Sequence, residues 1–287
     1  EGRIDLKDLE RKLSEGEVKL VAVTGASNVT GFMPDIHAIA QLAHEYGAKI
    51  LVDAAQLAAH APIDVKPNNH PEHIDFLVFG GHKRYNPAGG GILFAPAPLS
   101  DSANPFMPGG GTISAVTHKK AYFVSGPERH EGGTQDIDAL AGGLRGVLVG
   151  LKRVGLENVR KHESKLTRLL LTELKKIRGV KIYGDFDERE RVGVVSFNVE
   201  GMDYETLARK INDAGIQVRE GCFCAHPYVH KLLGVSQKEG ERLAKALGSG
   251  ENAKKPGMVR VSIAIHTTPQ EIKRFTAAIR EIARKPQ

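Results

Sequence analysis

Cysteine is nearly absent from this chain: 287 residues carry only two, Cys222 and Cys224, with one residue between them. That spacing strains a disulfide, and two thiols fall short of the ligand set of a structural zinc site. A disulfide-stapled secreted domain is thereby excluded. A reduced, cytoplasmic protein is expected, with no metal and at most one cysteine doing chemistry. Long apolar runs are missing too: none approaches the roughly 18 residues a membrane-spanning helix needs. The charged opening Glu1-Gly-Arg-Ile-Asp-Leu-Lys-Asp-Leu-Glu10 has no apolar signal core. Nor is one sign of charge in large excess, since 40 Lys and Arg face 34 Asp and Glu for a net of +6. Residues 161–176 suggest the solvated face of an amphipathic helix, with no aromatics between basic positions as nucleic-acid binding would favour. Neither a membrane nor a nucleic acid is therefore an expected partner. An initiating methionine is lacking as well, so a processed chain or part of a longer one is expected.

What the chain has is apolar material in short, well-punctuated segments. At 41% hydrophobic content it can bury a large core, and two domains are expected, residues 1–154 and 155–287. Segments 18–24, 48–53, 74–79 and 92–95 suggest strands. The second and third lack alternation, as parallel strands covered on both faces do. Pro34-Asp35 opens a helix closed by Gly47, and the strand–helix–strand rhythm implies an α/β fold with a mostly parallel sheet. A short helix is expected over 54–60, and residues 96–133, rich in Gly and Pro, suggest functional loops or lids. Helices are expected over 137–154 and 156–177. The rest suggests a smaller α+β unit: strands 180–183, 194–198, 215–219 and 258–265, a helix capped by Asp203, and a last helix opened by the capping box Thr268-Pro-Gln-Glu271.

The strand Phe76-Leu-Val-Phe-Gly-Gly-His-Lys83 delivers a lysine beside His82, and Lys49-Ile-Leu-Val-Asp-Ala-Ala-Gln56 delivers Asp53 and Gln56. Parallel sheets present sites at such carboxyl ends. A desolvated lysine amine is a nucleophile toward carbonyls, and an aspartate in the same crevice can hold a pyridinium nitrogen protonated. Both are protein groups that pyridoxal phosphate chemistry uses. Asp53 could equally cap the helix over 54–60, His82 could be bonded locally, and Asn28 could serve only its turn. In Val218-Arg-Glu-Gly-Cys-Phe-Cys-Ala-His-Pro227 both cysteines lie between chain breakers, near Arg219 and His226, on what suggests a mobile loop. Such surroundings favour a thiolate, and spacing does not select between the two. Arg260 interrupts an apolar strand, either as a fork for a carboxylate or as a surface residue on an edge.

Taken together, Ser27-Asn28, Val52-Asp-Ala-Ala-Gln56, Gly81-His-Lys-Arg-Tyr85, Glu131-Gly-Gly-Thr134, Arg219-Glu-Gly-Cys-Phe-Cys-Ala225 and Arg260-Val-Ser resemble the class V aminotransferase-fold enzymes. Within that group the chain is most similar to cysteine desulfurases and selenocysteine lyases. The resemblance implies the pyridoxal phosphate transferase fold, fold type I, and a homodimer. It implies that Lys83 joins covalently to the cofactor, that Asp53 pairs with the pyridine nitrogen and Gln56 with the ring oxygen. His82 would lie on the phosphate or lysine side, and Thr134 would reach the cofactor phosphate of a partner subunit. Asn28 and Arg260, with Arg219 nearby, would hold the substrate carboxylate. Cys224 matches the persulfide-forming cysteine, while Cys222 receives no role. The implied reaction is removal of sulfur from cysteine, giving alanine and a Cys224 persulfide for a sulfur-acceptor protein. A selenocysteine lyase, another class V lyase or aminotransferase, and a non-catalytic scaffold are the alternatives. The family usually has serine where this chain has Gly80, and its opening portion, with the first phosphate loop and the ring-stacking residue, has no counterpart here.

Overall fold

Several helix starts in this chain follow short polar residues that can accept the first free amides. In the computed structural model, which describes residues 2–184, 187–251 and 253–284, Asp5 accepts from Lys7 and Asp8 at the head of α1 (Leu6–Ser14). Asp35 does the same for His37 and Ala38 before α2 (Ile36–Glu45). Strands β1 (Leu20–Thr24), β2 (Lys49–Asp53) and β3 (Phe76–Gly80) pair in parallel in that order. The fourth strand, β4 (Gly91–Phe94), runs antiparallel to β3. Ile39, Ala40, Ile50, Val52 and Leu77 bury a first core between α2 and this sheet, and Val192 and Val194 reach into it from the second half of the chain. Of the inner strands, β3 has no exposed residue, whereas β2, expected to be covered on both faces, buries Ile50 and Val52 more deeply than Leu51 and exposes both ends; β1 is an edge strand exposed at every second residue.

The stretch expected to be loops carries α3 (Ala97–Ser102) and a hairpin of β5 (Ile113–Val116) and β6 (Ala121–Phe123). A π-helical run, Asp138–Leu144, continues into α4 (Arg145–Val154). Gly155, at φ 83°, separates it from α5 (Leu156–Lys175). Then follow β7 (Val180–Tyr183), β8 (Val194–Val199), α6 (Tyr204–Asp213), β9 (Arg219–Gly221), α7 (His226–Leu233), α8 (Gln237–Gly248), β10 (Met258–Ser262) and α9 (Pro269–Arg284). The four strands form an antiparallel sheet in the order β7-β8-β10-β9. Phe197, Leu207, Ile211, Val259, Ile272 and Phe275 lie in its core with Leu170 and Leu174 of α5.

Three expectations are corrected. Residues 54–60 form turns rather than a helix, although Ala58 N–H still bonds Ala54 O at 2.8 Å. The strand expected over 215–219 lies at Arg219–Gly221, because its partner is the Met258–Arg260 backbone. The third correction is the β5–β6 hairpin where irregular loops were expected. Among the described residues no helix is long and apolar enough to cross a membrane.

Candidate active site

Parallel register puts three loops on one edge. Thr24 pairs with Asp53, and Asp53 with Val78, so β1, β2 and β3 end at nearly one level. Asp53 is exposed there, and one oxygen accepts the Ala55 amide at 2.8 Å. A carboxylate has capacity for further donors beyond that one bond. Beyond Gly80 the chain turns through a 3₁₀ segment, Gly81–Arg84, that presents His82 and Lys83.

The backbone of that turn is tightly held. Gly81 N–H bonds Gly90 O at 2.7 Å, and the buried Asn86 amide donates to Gly89 O at 2.6 Å and Ala139 O at 2.9 Å. A Cβ on Gly81 would stand 2.3 Å from Gly89 O, so only glycine fits. The side chains of His82 and Lys83 are nevertheless exposed. The expected desolvated lysine is thus corrected. The turn carries Lys83 past the last residue of its strand, and no described element covers it. At Gly80 a Cβ would meet the His82 ring at 2.9 Å, so the imidazole takes the space a serine side chain would need.

Behind Gln56 lies a relay whose members the sequence did not single out. Gln56 Nε2 is 3.3 Å from His60 Nε2, and His60 Nδ1 is 2.8 Å from Glu163 Oε2. These contacts assign the imidazole proton to Nδ1, since Gln56 Nε2 can only donate. Glu163 is 0% exposed, and its Oε1 has no hydrogen-bond partner. Burial pushes the Tyr85 hydroxyl up; the Ile265 amide, which donates to it at 3.2 Å, pulls it back, and the Glu163 charge adds to the rise. One sequence signal could have exposed Glu163: it occupies an apolar-stripe position on α5, four residues after Val159 and three before Leu166.

The second half of the chain enters at the same edge. Asn28, in the loop after β1, donates from Nδ2 to Phe223 O at 2.6 Å. Arg260 Nη1 donates to Asn28 O at 2.9 Å across 232 residues of sequence, and its guanidinium stacks 5.2 Å from the Phe223 ring. Arg219 is exposed and pairs in register with Arg260. Burial lowers the pKa of Arg260, the Arg219 charge lowers it further, and Cys224 opposes them. Its Nε is buried without a partner. Two adjacent guanidinium groups with a donor to spare suit an anion.

Phe223 and Cys224 take φ of 52° and 60°, an unusual pair of left-handed non-glycine residues. Such strain persists only where the surroundings hold it. The segment expected as a mobile loop forms a turn, closed by Ala225 N–H to Cys222 O at 2.8 Å. Cys224 is exposed, whereas Cys222 is buried and its thiol donates to Pro256 O at 3.0 Å. Burial raises the pKa of the Cys222 thiol, and Lys255 opposes the rise. Thr134 is exposed, on a segment tied back by Gly133 N–H to Gly110 O at 2.9 Å, and no hydrogen bond joins it to the other site residues.

Cysteine desulfurases recur among the proteins this chain resembles. It is 32% identical to the cysteine desulfurase of Synechococcus elongatus over 281 residues, 98% of this chain and 40% of that protein. To the cysteine desulfurase of Escherichia coli O8 it is 31% identical over 285 residues, 99% of this chain and 63% of that one. The apo structure of the cysteine desulfurase from Thermococcus onnurineus superposes with a TM-score of 0.83 at 32% identity, over 99% of this chain and 64% of that one. The chain thus spans 40% to 64% of the length of these relatives. The Aminotransferase class-V pattern matches residues 1–275. With the parallel sheet, the lysine turn and the cysteine turn in family order, this chain belongs to the class-V aminotransferase family.

Proposed function

We propose that the chain serves a pyridoxal phosphate-dependent cysteine desulfurase that yields alanine and a persulfide on Cys224. One observation carries the proposal: an exposed thiol on a strained turn, anchored by the same Asn28 and Arg260 that present donors to an anion. The donor set at the sheet edge fits the cofactor. Lys83 offers an amine for its aldehyde, Asp53 a carboxylate for its pyridine nitrogen, and Gln56 an amide for its ring oxygen. When bound, pyridoxal phosphate supplies a ring that draws electrons from the substrate Cα.

The chain's own residues do the rest. Arg260, with Arg219 beside it, binds the substrate carboxylate. Lys83 Nζ takes the proton from Cα, and Asp53 keeps the pyridine nitrogen protonated. The Cys224 thiolate attacks the substrate sulfur, so an S–S bond forms as the C–S bond breaks; the electron pair left on the carbon side is protonated at Cβ, and the proton held on Lys83 Nζ returns to Cα, which leaves alanine and Cys224–S–SH without any external oxidant. The His60–Glu163 pair fixes the Gln56 amide. Exposure of Cys224 suits delivery to a sulfur-acceptor protein. A homodimer, in which Thr134 reaches the phosphate held by a second copy, accords with the exposed apolar Phe94, Phe106 and Met107.

The test is alanine and sulfide release from cysteine with a reductant, on the full-length enzyme. Cys224→Ser should abolish turnover while leaving the cofactor's visible absorbance, and Cys222→Ser should retain turnover. Unchanged activity in Cys224→Ser overturns the assignment. Selenocysteine and amino-acid/keto-acid pairs, run in parallel, separate a lyase or aminotransferase from the desulfurase. Borohydride should fix the cofactor to Lys83 as a secondary amine; a reduced protein from which the cofactor still washes out on unfolding overturns the covalent role of Lys83.

A further inference from the structure

We propose that Cys222, His226 and His230 form a site for a divalent transition cation, zinc by the character of the donors. The Cys222 Sγ and one nitrogen of each imidazole all lie within 4.8 Å of one another. Helix α7 begins at His226 and repeats its face one turn later at His230, while the turn ahead of it places Cys222 opposite. The rings meet edge to face with centroids 6.0 Å apart.

A second observation points to a ligand. His230 Nε2 is buried and has no hydrogen-bond partner, an arrangement that leaves a ring nitrogen unsatisfied unless something takes its lone pair. A cation does so. The three donors also face a cavity of about 690 Å³, lined further by Leu243, Leu247 and Lys255. Three nitrogen and sulfur ligands with an open fourth position are how zinc keeps a water or a small ligand. Binding converts the Cys222 thiol to a thiolate, so each cation taken up releases one proton, the one now shared with Pro256 O.

The molecule holds an instructive contrast. His44, His73 and Asp75 also cluster, yet there both Nε2 atoms face Asp75 and both Nδ1 atoms face backbone carbonyls. Every ring nitrogen there already has a partner. At Cys222 the donors converge and His230 is unsatisfied. The site lies two residues before Cys224, so an occupied site would brace the turn that carries the exposed thiol. The cation assignment itself does not depend on the desulfurase chemistry.

The experiment titrates Co²⁺ into the chelator-treated intact protein, with Zn²⁺ competition and no cysteine present. One equivalent should give tetrahedral visible bands and a sulfur-to-cobalt charge-transfer band, with one proton released per ion. Cys222→Ser should remove the charge-transfer band, and Cys224→Ser should keep it. His226→Ala, a change at an exposed residue that spares the fold, should weaken binding by at least the roughly 10- to 100-fold that even an outer-shell partner contributes; His230→Ala should do the same. Failure to saturate at one equivalent, a band that survives Cys222→Ser, a band lost in Cys224→Ser, or unchanged affinity in both histidine variants each overturns the proposal.

Discussion

Strands β2 and β3 carry an aspartate at each end of their shared edge, and the two live in opposite circumstances. Asp75, just before β3, has a side chain 1% exposed. It accepts the Ile50 amide at 2.9 Å, meets His44 at 2.9 Å and His73 at 3.3 Å, and pairs with Lys49 at 2.9 Å. Asp53, at the end of β2, is exposed and accepts the Ala55 amide. A buried charge is tolerated only when paired and fully bonded, and Asp75 meets that condition inside the chain. Asp53 does not spend its capacity on its own fold. The same residue type thus divides by position along the strands: the aspartate at the amino end holds the sheet together, and the one at the carboxyl end, where parallel sheets generally present their sites, keeps free acceptor capacity.

The sharpest break of this comparison is at Lys83. Lys83→Ala should lower turnover by roughly 10³-fold or more, the scale of a lost positioned base, with a melting temperature unchanged because the Gly81–Arg84 turn is held by backbone and Asn86. Asp53→Asn should follow the same pattern at about 1.5–3 kcal/mol of lost charge-assisted bonding to the cofactor, or roughly 10- to 100-fold in activity. A large fall in melting temperature for Asp53→Asn would erase the division between the two ends. Arg260→Lys should raise KM for cysteine by a similar roughly 10-fold or more, since an ammonium cannot both reach Asn28 O and present a fork. If kcat falls instead with KM unchanged, Arg260 acts on the Cys224 turn rather than on the substrate.

At the other end the expected loss is in stability. Burial pushes the Asp75 carboxyl up, but His44, the Ile50 amide and Lys49 reverse this and hold it at about 2 against an ordinary 3.8. Because the folded value is depressed, the stabilisation is complete above the ordinary value and disappears as pH falls through about 2. A difference of this size corresponds to about 2 kcal/mol. Asp75→Asn should therefore lower urea-unfolding stability by about that amount at pH 7 and progressively less below pH ~4, with kcat retained. A constant penalty across that range would mean the loss is steric rather than ionic.

Much of this division was legible in residue types. Asp35, Asp203 and Thr268 cap the helices they were expected to cap, and the apolar strands ending at Asp53 and Gly80 carry the edge. What was hidden depends on long-range pairing. The strand at Arg219–Gly221 is set by Met258–Arg260, and nothing local announces it. Helix α7 follows Ala225, which offers no side-chain cap, so its two histidines could not be seen to face Cys222. Counting cysteines alone therefore missed the mixed donor set. Helix α8 was not expected either, although Ser236, which accepts from Glu239 N–H, stands in a capping-box position that marks its start. The relay from Gln56 through His60 to Glu163 joins residues 103 apart, and a glutamate among lysines is an ordinary surface pattern until its stripe position is counted. Exposure of Lys83 was the other surprise, because an apolar strand says nothing of what stands beyond its end.

The smallest expected effect is at Gly80, where the family usually has serine. A Cβ there would lie 2.9 Å from His82 Cε1 and 3.0 Å from Nδ1. These contacts are with a side chain that can swing, and Gly80 itself has an ordinary extended backbone at φ −100°. Gly80→Ser should therefore fold and displace the imidazole, at the roughly 0.5–1.5 kcal/mol typical of a side chain forced from its rotamer. Cofactor retention should change by less than about tenfold as a result. The direction is informative: tighter retention means the hydroxyl reaches a phosphate, so His82 was only filling space, whereas weaker retention means the imidazole itself belongs to the carboxyl-edge set with Asp53 and Lys83.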